Sequence, residues 1–199
     1  MPVKPSLQDT SHWIFDMDGT LTISAHDFEF IRKELGIAPQ LPILEALNAM
    51  SDEQAEPLWQ KLNELEEHFA EKSSLMHGAI ELLESLKLRG VELAILTRNT
   101  MPVVEKTLVA CGLDHFFPMP HRLDRDSCTP KPSPDGINHL LNLWQADAES
   151  TVMVGDYLYD LQAGRSAGVT TIHLDTRGID WPEFTDIKVS RLADIKSLI

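Results

Sequence analysis

Apolar residues in this chain recur with two periods. Short continuous apolar runs, several of them ending in a polar residue, read as buried strands: Trp13–Met17, Val91–Thr97, Thr151–Asp156, Val169–Asp175 and a shorter Asp186–Val189. Between them, helical spacing predicts Glu81–Arg89, stopped by Gly90, and Pro102–Cys111, with Pro102 in the first turn and Gly112 at the end. A further helix is expected to run to Trp144, capped by Ser133 with Pro134 in its first turn. Another ends near Gly168, and Ser190 is placed to cap a terminal one. Residues 1–11 read as a loose, Pro-containing arm. Near-continuous apolar strands alternating with helices predict an α/β fold, a parallel sheet covered on both faces. In such sheets ligands bind beyond the carboxyl ends of the strands.

Residues 23–77 break that rhythm. Phe28, Ile31 and Leu35 share one helical face, stopped by Gly36, and Leu58, Leu62, Leu65 and Phe69 form a second stripe. Ser51 and Gln54 have capping-box spacing, although Pro57 argues for a later start. These stripes need a partner to bury against, which predicts a small helical module inserted after the first strand. Its charged stretch "ELEEH" (64–68) reads as a solvated face.

Composition narrows the function classes. The 199 residues suffice for one substantial core and a small insertion. The formal net charge of −14, with no basic cluster, argues against a nucleic-acid groove. An anionic ligand would need a metal and local cations to offset that field. No apolar run is long enough to span a bilayer, and the first residues show no apolar signal region. Cys111 and Cys128 lack metal or redox spacing and read as free thiols, so the expected compartment is the cytoplasm.

The chemistry begins at "DMDGT". Residues i and i+2 of a strand face one side, so Asp16 and Asp18 point together into the crevice, and Gly19 permits a tight turn after them. An unpartnered carboxylate beside an apolar run is costly to desolvate, so the placement implies a use. A calcium loop fails, because the sixth and twelfth positions are Leu21 and Asp27. Other predicted strand ends and helix starts add Thr97 with Arg98 and Asn99, then Lys131, then Asp156 with Asp160. No P-loop, dinucleotide fingerprint or zinc spacing is present. His26, just inside the inserted module, could face the site or solvent.

In this order, "DMDGT", "LTRN", "KPSPDG" and "VGDYLYD" resemble the four motifs of the haloacid dehalogenase superfamily of phosphohydrolases, across residues 13–174. The resemblance implies a three-layer α/β/α Rossmann-like core of residues 1–22 and 78–199, with residues 23–77 as a small α-helical cap. It implies Asp16 as nucleophile and Asp18 as acid/base, with Thr97 and Lys131 on the phosphoryl group. Mg²⁺ would sit on Asp16, the Asp18 carbonyl and Asp156, with Asp160 supporting that shell. Arg98 and Asn99 are candidates to contact substrate. The presence of Asp18 favours phosphoryl transfer over dehalogenation, since a departing halide needs no proton. The expected activity is Mg²⁺-dependent hydrolysis of small phosphorylated metabolites through an aspartyl phosphate, with no nucleic-acid or membrane partner. A phosphomutase of the β-phosphoglucomutase type and a non-catalytic binding protein are the alternatives. Oligomeric state is left open by the sequence.

Overall fold

A computed structural model describes residues 6–23, 25 and 27–199. Six parallel strands form one sheet in the order β5 (Arg122–Leu123), β4 (Glu92–Leu96), β1 (His12–Phe15), β6 (Thr151–Gly155), β7 (Thr170–Leu174) and β8 (Ile187–Val189). The strand alternation decides which face each residue covers. Trp13, Leu93 and Val152 are register partners and join one core cluster; Ile14, Ala94 and Met153, one residue on, join the other. Helices α4 (Ala79–Leu88), α5 (Met101–Ala110) and α8 (Leu192–Lys196) cover the first face, through residues such as Leu83, Val104 and Leu192. Helices α6 (Asp135–Trp144) and α7 (Leu158–Ala167) cover the second, through Ile137, Leu140 and Ala163. The result is the three-layer α/β/α arrangement expected from the alternating pattern. The edge strands are only two and three residues long, which limits unpaired backbone at the rims.

The chain runs from β1 to β4 and β5 on one side and then crosses back to β6 on the other, so the strand order reverses beside β1 and opens a crevice at its carboxyl end. The chain leaves there through β2 (Thr22–Ile23) and returns through β3 (Ser74–Leu75), which pair antiparallel. Between them lie α1 (Phe28–Leu35), α2 (Ile43–Asn48) and α3 (Asp52–Ala70), with their own apolar cluster of Ile31, Leu35, Ile37, Leu47 and Leu62. Gly36 ends α1 in the left-handed conformation, at φ 68°.

Several local readings change. Residues 6–11 are not loose: Leu7 is buried, Arg89 donates to the carbonyls of Leu7 and Gln8, and Trp13 Nε1 donates to Thr10 Oγ1. Ser133 stands one residue ahead of the cap position, which Pro134 holds, although its hydroxyl accepts from the Asp135 N–H. Ser190 does not cap α8, because the chain stays extended through Arg191. Ser51 does occupy the α3 cap position, yet its hydroxyl donates to Gln54 Oε1 and not to the backbone. Pro57 sits inside α3 and does not delay its start. The solvated reading of 64–68 fails at Glu66, which is buried one turn beyond Leu62 on the same face.

Candidate active site

The crevice at the end of β1 gathers residues from four separate strand ends or helix starts. Asp16 follows β1 directly, and its N–H donates to the Val154 carbonyl on β6. Gly19 then turns the chain at φ 85°, a conformation that disfavours any side chain. A Cβ there would also lie 2.6 Å from Asp156 Oδ2, so the turn and the β6 carboxylate can approach only through glycine.

Lys131, on the loop before α6, is 2 % exposed and donates to Asp16 Oδ1 at 2.7 Å and Asp160 Oδ1 at 2.6 Å. Asp160, in the first turn of α7, also accepts from the Tyr157 N–H through Oδ2. A buried ammonium is tolerated here because two carboxylates flank it. Burial acts to lower the Lys131 pKa, but Asp16 and Asp160 outweigh it and hold it above its ordinary value. The Asp16 carboxyl is also raised: burial pushes it well above the usual range, Lys131 pulls back, and Asp160 and Asp156 push it further up. Burial, with Asp160 beside it, lifts Asp156 to about 6.

Carboxylate oxygens of Asp16, Asp156 and Asp160 all lie within 4.8 Å of one another. Burial is the first cause of the upward shifts of Asp16 and Asp156, and repulsion among the three carboxylates adds to it despite the nearby cations Lys131 and Arg177. The donor set is hard oxygen only, which suits Mg²⁺. The residues present therefore fit the metal that the sequence implied. Asp160 belongs geometrically to this carboxylate cluster, while its two hydrogen bonds also suit a supporting part.

Around this cluster, Asp18 Oδ1 lies 3.3 Å from the Thr22 hydroxyl, and its other oxygen accepts from the Asn99 side-chain amide. Thr97 is buried at the end of β4, lines the same cavity, and accepts the Asn99 N–H on Oγ1. Arg98 turns toward the inserted helices: Nη2 donates to Glu45 Oε1 of α2 at 2.6 Å, and its guanidinium lies over the Tyr159 ring. All eight site residues singled out in the sequence line one cavity of about 650 Å³. The His26 reading lies outside the described residues.

Other residues join the site without having been singled out. Thr20 donates to Asp16 Oδ2 at 3.3 Å, and the motif itself carried that signal. Arg177, in the loop after β7, pairs with Asp156 Oδ2 at 3.1 Å; no local pattern marks it. Glu66 of α3 reaches the cavity and pairs with Arg125 Nη1 at 3.0 Å, an encounter 59 residues apart in sequence. Burial lifts Glu66 to about 7 despite the Arg125 charge.

Residues 13–174 match the family model of the haloacid dehalogenase-like hydrolases. The chain belongs to that family. Among the relatives of this hydrolase, pyrophosphatase PpaX of Halalkalibacterium halodurans is 31 % identical over 79 % of this chain and 80 % of its own length. A haloacid dehalogenase-like hydrolase domain-containing protein of Arabidopsis thaliana is 29 % identical over 94 % of this chain and 82 % of its own. The crystal structure of a hydrolase from Pseudomonas syringae superposes with a TM-score of 0.79 at 26 % identity, covering 94 % of this chain and 96 % of that one. Among the described residues, no helix is long and apolar enough to cross a membrane.

Proposed function

We propose that this haloacid dehalogenase-like hydrolase is a Mg²⁺-dependent phosphomonoesterase that works through an aspartyl phosphate on Asp16. It is a phosphohydrolase acting on phosphorylated substrates; the metal dependence and the covalent intermediate are the further reading. The observation that carries it is the buried Asp16 carboxylate, 2.7 Å from Lys131, facing two more carboxylates at the end of β1.

Residues 23–77 serve as the cap over this crevice, entered and left through the β2–β3 pair. Asp16 attacks phosphorus, forming an Asp16 O–P bond as the ester P–O bond breaks. Asp18 delivers a proton to the departing alkoxide, then takes one from the water that cleaves the Asp16 O–P bond and releases phosphate. Thr97 and Lys131 donate hydrogen bonds to phosphoryl oxygens, and Thr20 and Lys131 hold Asp16 in place. Asn99 and Thr22 orient the Asp18 carboxyl. Asp16, the Asp18 carbonyl and Asp156 would hold Mg²⁺, supported by Asp160. When bound, the metal would supply neutralisation of phosphate charge and in-line orientation.

EDTA is expected to abolish phosphate release and added Mg²⁺ to restore it. Addition of Mg²⁺ should also raise the thermal midpoint, since it relieves repulsion among Asp16, Asp156 and Asp160. Metal-independent turnover would refute the assignment. Asp18→Asn is expected to slow an alkyl phosphate by on the order of 10²-fold or more, and an aryl phosphate much less, because a phenolate leaves without protonation. Equal losses on both would remove Asp18 as the acid.

A further inference from the structure

Among the described residues, six carboxylates and four Lys or Arg side chains line the cavity above Asp16, and each cation already makes contacts within the protein. Lys131 holds Asp16 and Asp160, Arg98 holds Glu45, Arg177 holds Asp156, and Arg32 donates to the carbonyls of Phe28 and Leu41. Among the described residues, a second anionic group on the substrate, such as the far phosphate of pyrophosphate or the carboxylate of phosphoglycolate, would meet only Arg32 bonded to neutral carbonyls and not to a carboxylate.

Beside Gln40, Thr97, Asn99 and Thr176, much of the remaining lining is apolar. Ile23, Phe28, Ile43 and Leu44 come from the inserted module, and Tyr157 and Tyr159 from the start of α7. Ile23, Phe28 and Tyr157 are 52 %, 46 % and 43 % exposed, so large apolar surface at this mouth is in contact with water. Exposed apolar side chains gathered at one cavity mark a binding surface. The tyrosines are part of an aromatic wall: Tyr157 packs edge-on to Tyr159 at 5.1 Å and to Trp181 at 5.7 Å. Arg98 lies over the Tyr159 ring and Arg177 over the Tyr157 ring, so each tyrosine offers a further ring its edges and the face that its guanidinium leaves open. The volume, about 650 Å³, lies well above what a two-carbon acid or a second phosphate fills.

We infer that the preferred substrates are phosphate monoesters whose leaving group carries a planar aromatic or heteroaromatic ring, seated between Phe28 on the module side and Tyr157 and Tyr159 on the core side. This rests on the phosphohydrolase reading above and names its substrate class.

The three esters in the test have leaving groups of ordinary alcohol reactivity, so that binding and not leaving-group chemistry sets their order; pyrophosphate, which expels the more reactive phosphate, is a stringent comparison. Mg²⁺-dependent phosphate release is measured for benzyl phosphate, ethyl phosphate, phosphoglycolate and pyrophosphate. The expected result is a kcat/KM for benzyl phosphate at least tenfold above each of the others, carried mainly by KM. Phe28→Ala, with its fold checked by circular dichroism, should lower the benzyl-to-ethyl ratio several-fold. A benzyl advantage below tenfold, or a higher value for phosphoglycolate or pyrophosphate, overturns the aromatic class and leaves the hydrolase reading standing. Absence of Mg²⁺-dependent release from all four overturns both.

Discussion

Asp16→Asn is expected to lower kcat by on the order of 10⁴-fold or more while the protein stays folded. The amide keeps the shape of the carboxyl and its bond from Thr20, but it cannot displace an alcohol from phosphorus. Stability should move in the opposite direction to activity. The folded-state pKa of Asp16 is raised, chiefly by burial, so its ionised form subtracts stability from the metal-free protein at neutral pH. That subtraction sets in above the unfolded-state value and grows as pH rises toward the folded one. Asparagine removes it, while Lys131 keeps Asp160 as a partner. In EDTA at pH 7.5 the variant should therefore melt at the same temperature as the parent or higher. Calorimetry and a phosphate assay on one preparation separate the two effects. Residual activity above about one per cent would remove Asp16 as the nucleophile.

The same residue shows why the site was readable from sequence and much of its surroundings was not. Asp16, Asp18, Thr97, Lys131 and Asp156 each stand where an apolar run ends or a helix begins, so a parallel sheet carries them to one crevice. The local period predicts their placement, and the motifs they resemble name their chemistry. The main sheet strands were legible for the same reason, being nearly continuous apolar runs buried on both faces. The pairs β2–β3 and the edge strand β5 are two residues long, too short for any period to register. Helix α2 spans six residues with one buried leucine, Leu47, and offered no stripe. Arg177 and Arg125 come to the site by tertiary folding alone. Neither lies in a run whose pattern predicts a partner, and their acidic partners are 21 and 59 residues away in sequence.

Glu66 carries that point furthest, because its charged neighbours suggested solvent and the fold buries it. Its carboxylate accepts from Arg125 Nη1, and Arg125 Nη2 donates to Asn63 Oδ1 at 2.6 Å, one turn earlier on α3. The Arg125 guanidinium also faces the Trp59 ring, and its backbone N–H donates to the Asn99 carbonyl. One arginine thus ties three positions of α3 to the loop beyond β4 that presents Thr97 and Asn99. Removing it leaves a carboxylate that is 6 % exposed without its cation. Arg125→Leu is expected to cost about 3 kcal/mol, a fall of roughly 6–12 °C in thermal midpoint for a chain of this size. The loss should depend on pH in a defined direction. Burial already lifts Glu66 to about 7 in the folded protein, above its unfolded value, so the folded state binds its proton more tightly. Stability from this group therefore falls as pH rises from the unfolded value through about 7. Without Arg125 the folded value moves higher still, and the fall continues into more alkaline solution. The gap between Arg125→Leu and the parent should be modest at pH 6, where Glu66 can stay protonated, and wider at pH 8.5. Adding Glu66→Gln to Arg125→Leu should remove most of that widening, since an amide has no charge to strand. A gap independent of pH, or a double variant no more stable at pH 8.5 than Arg125→Leu alone, would show that the stranded Glu66 charge is not the source of the loss.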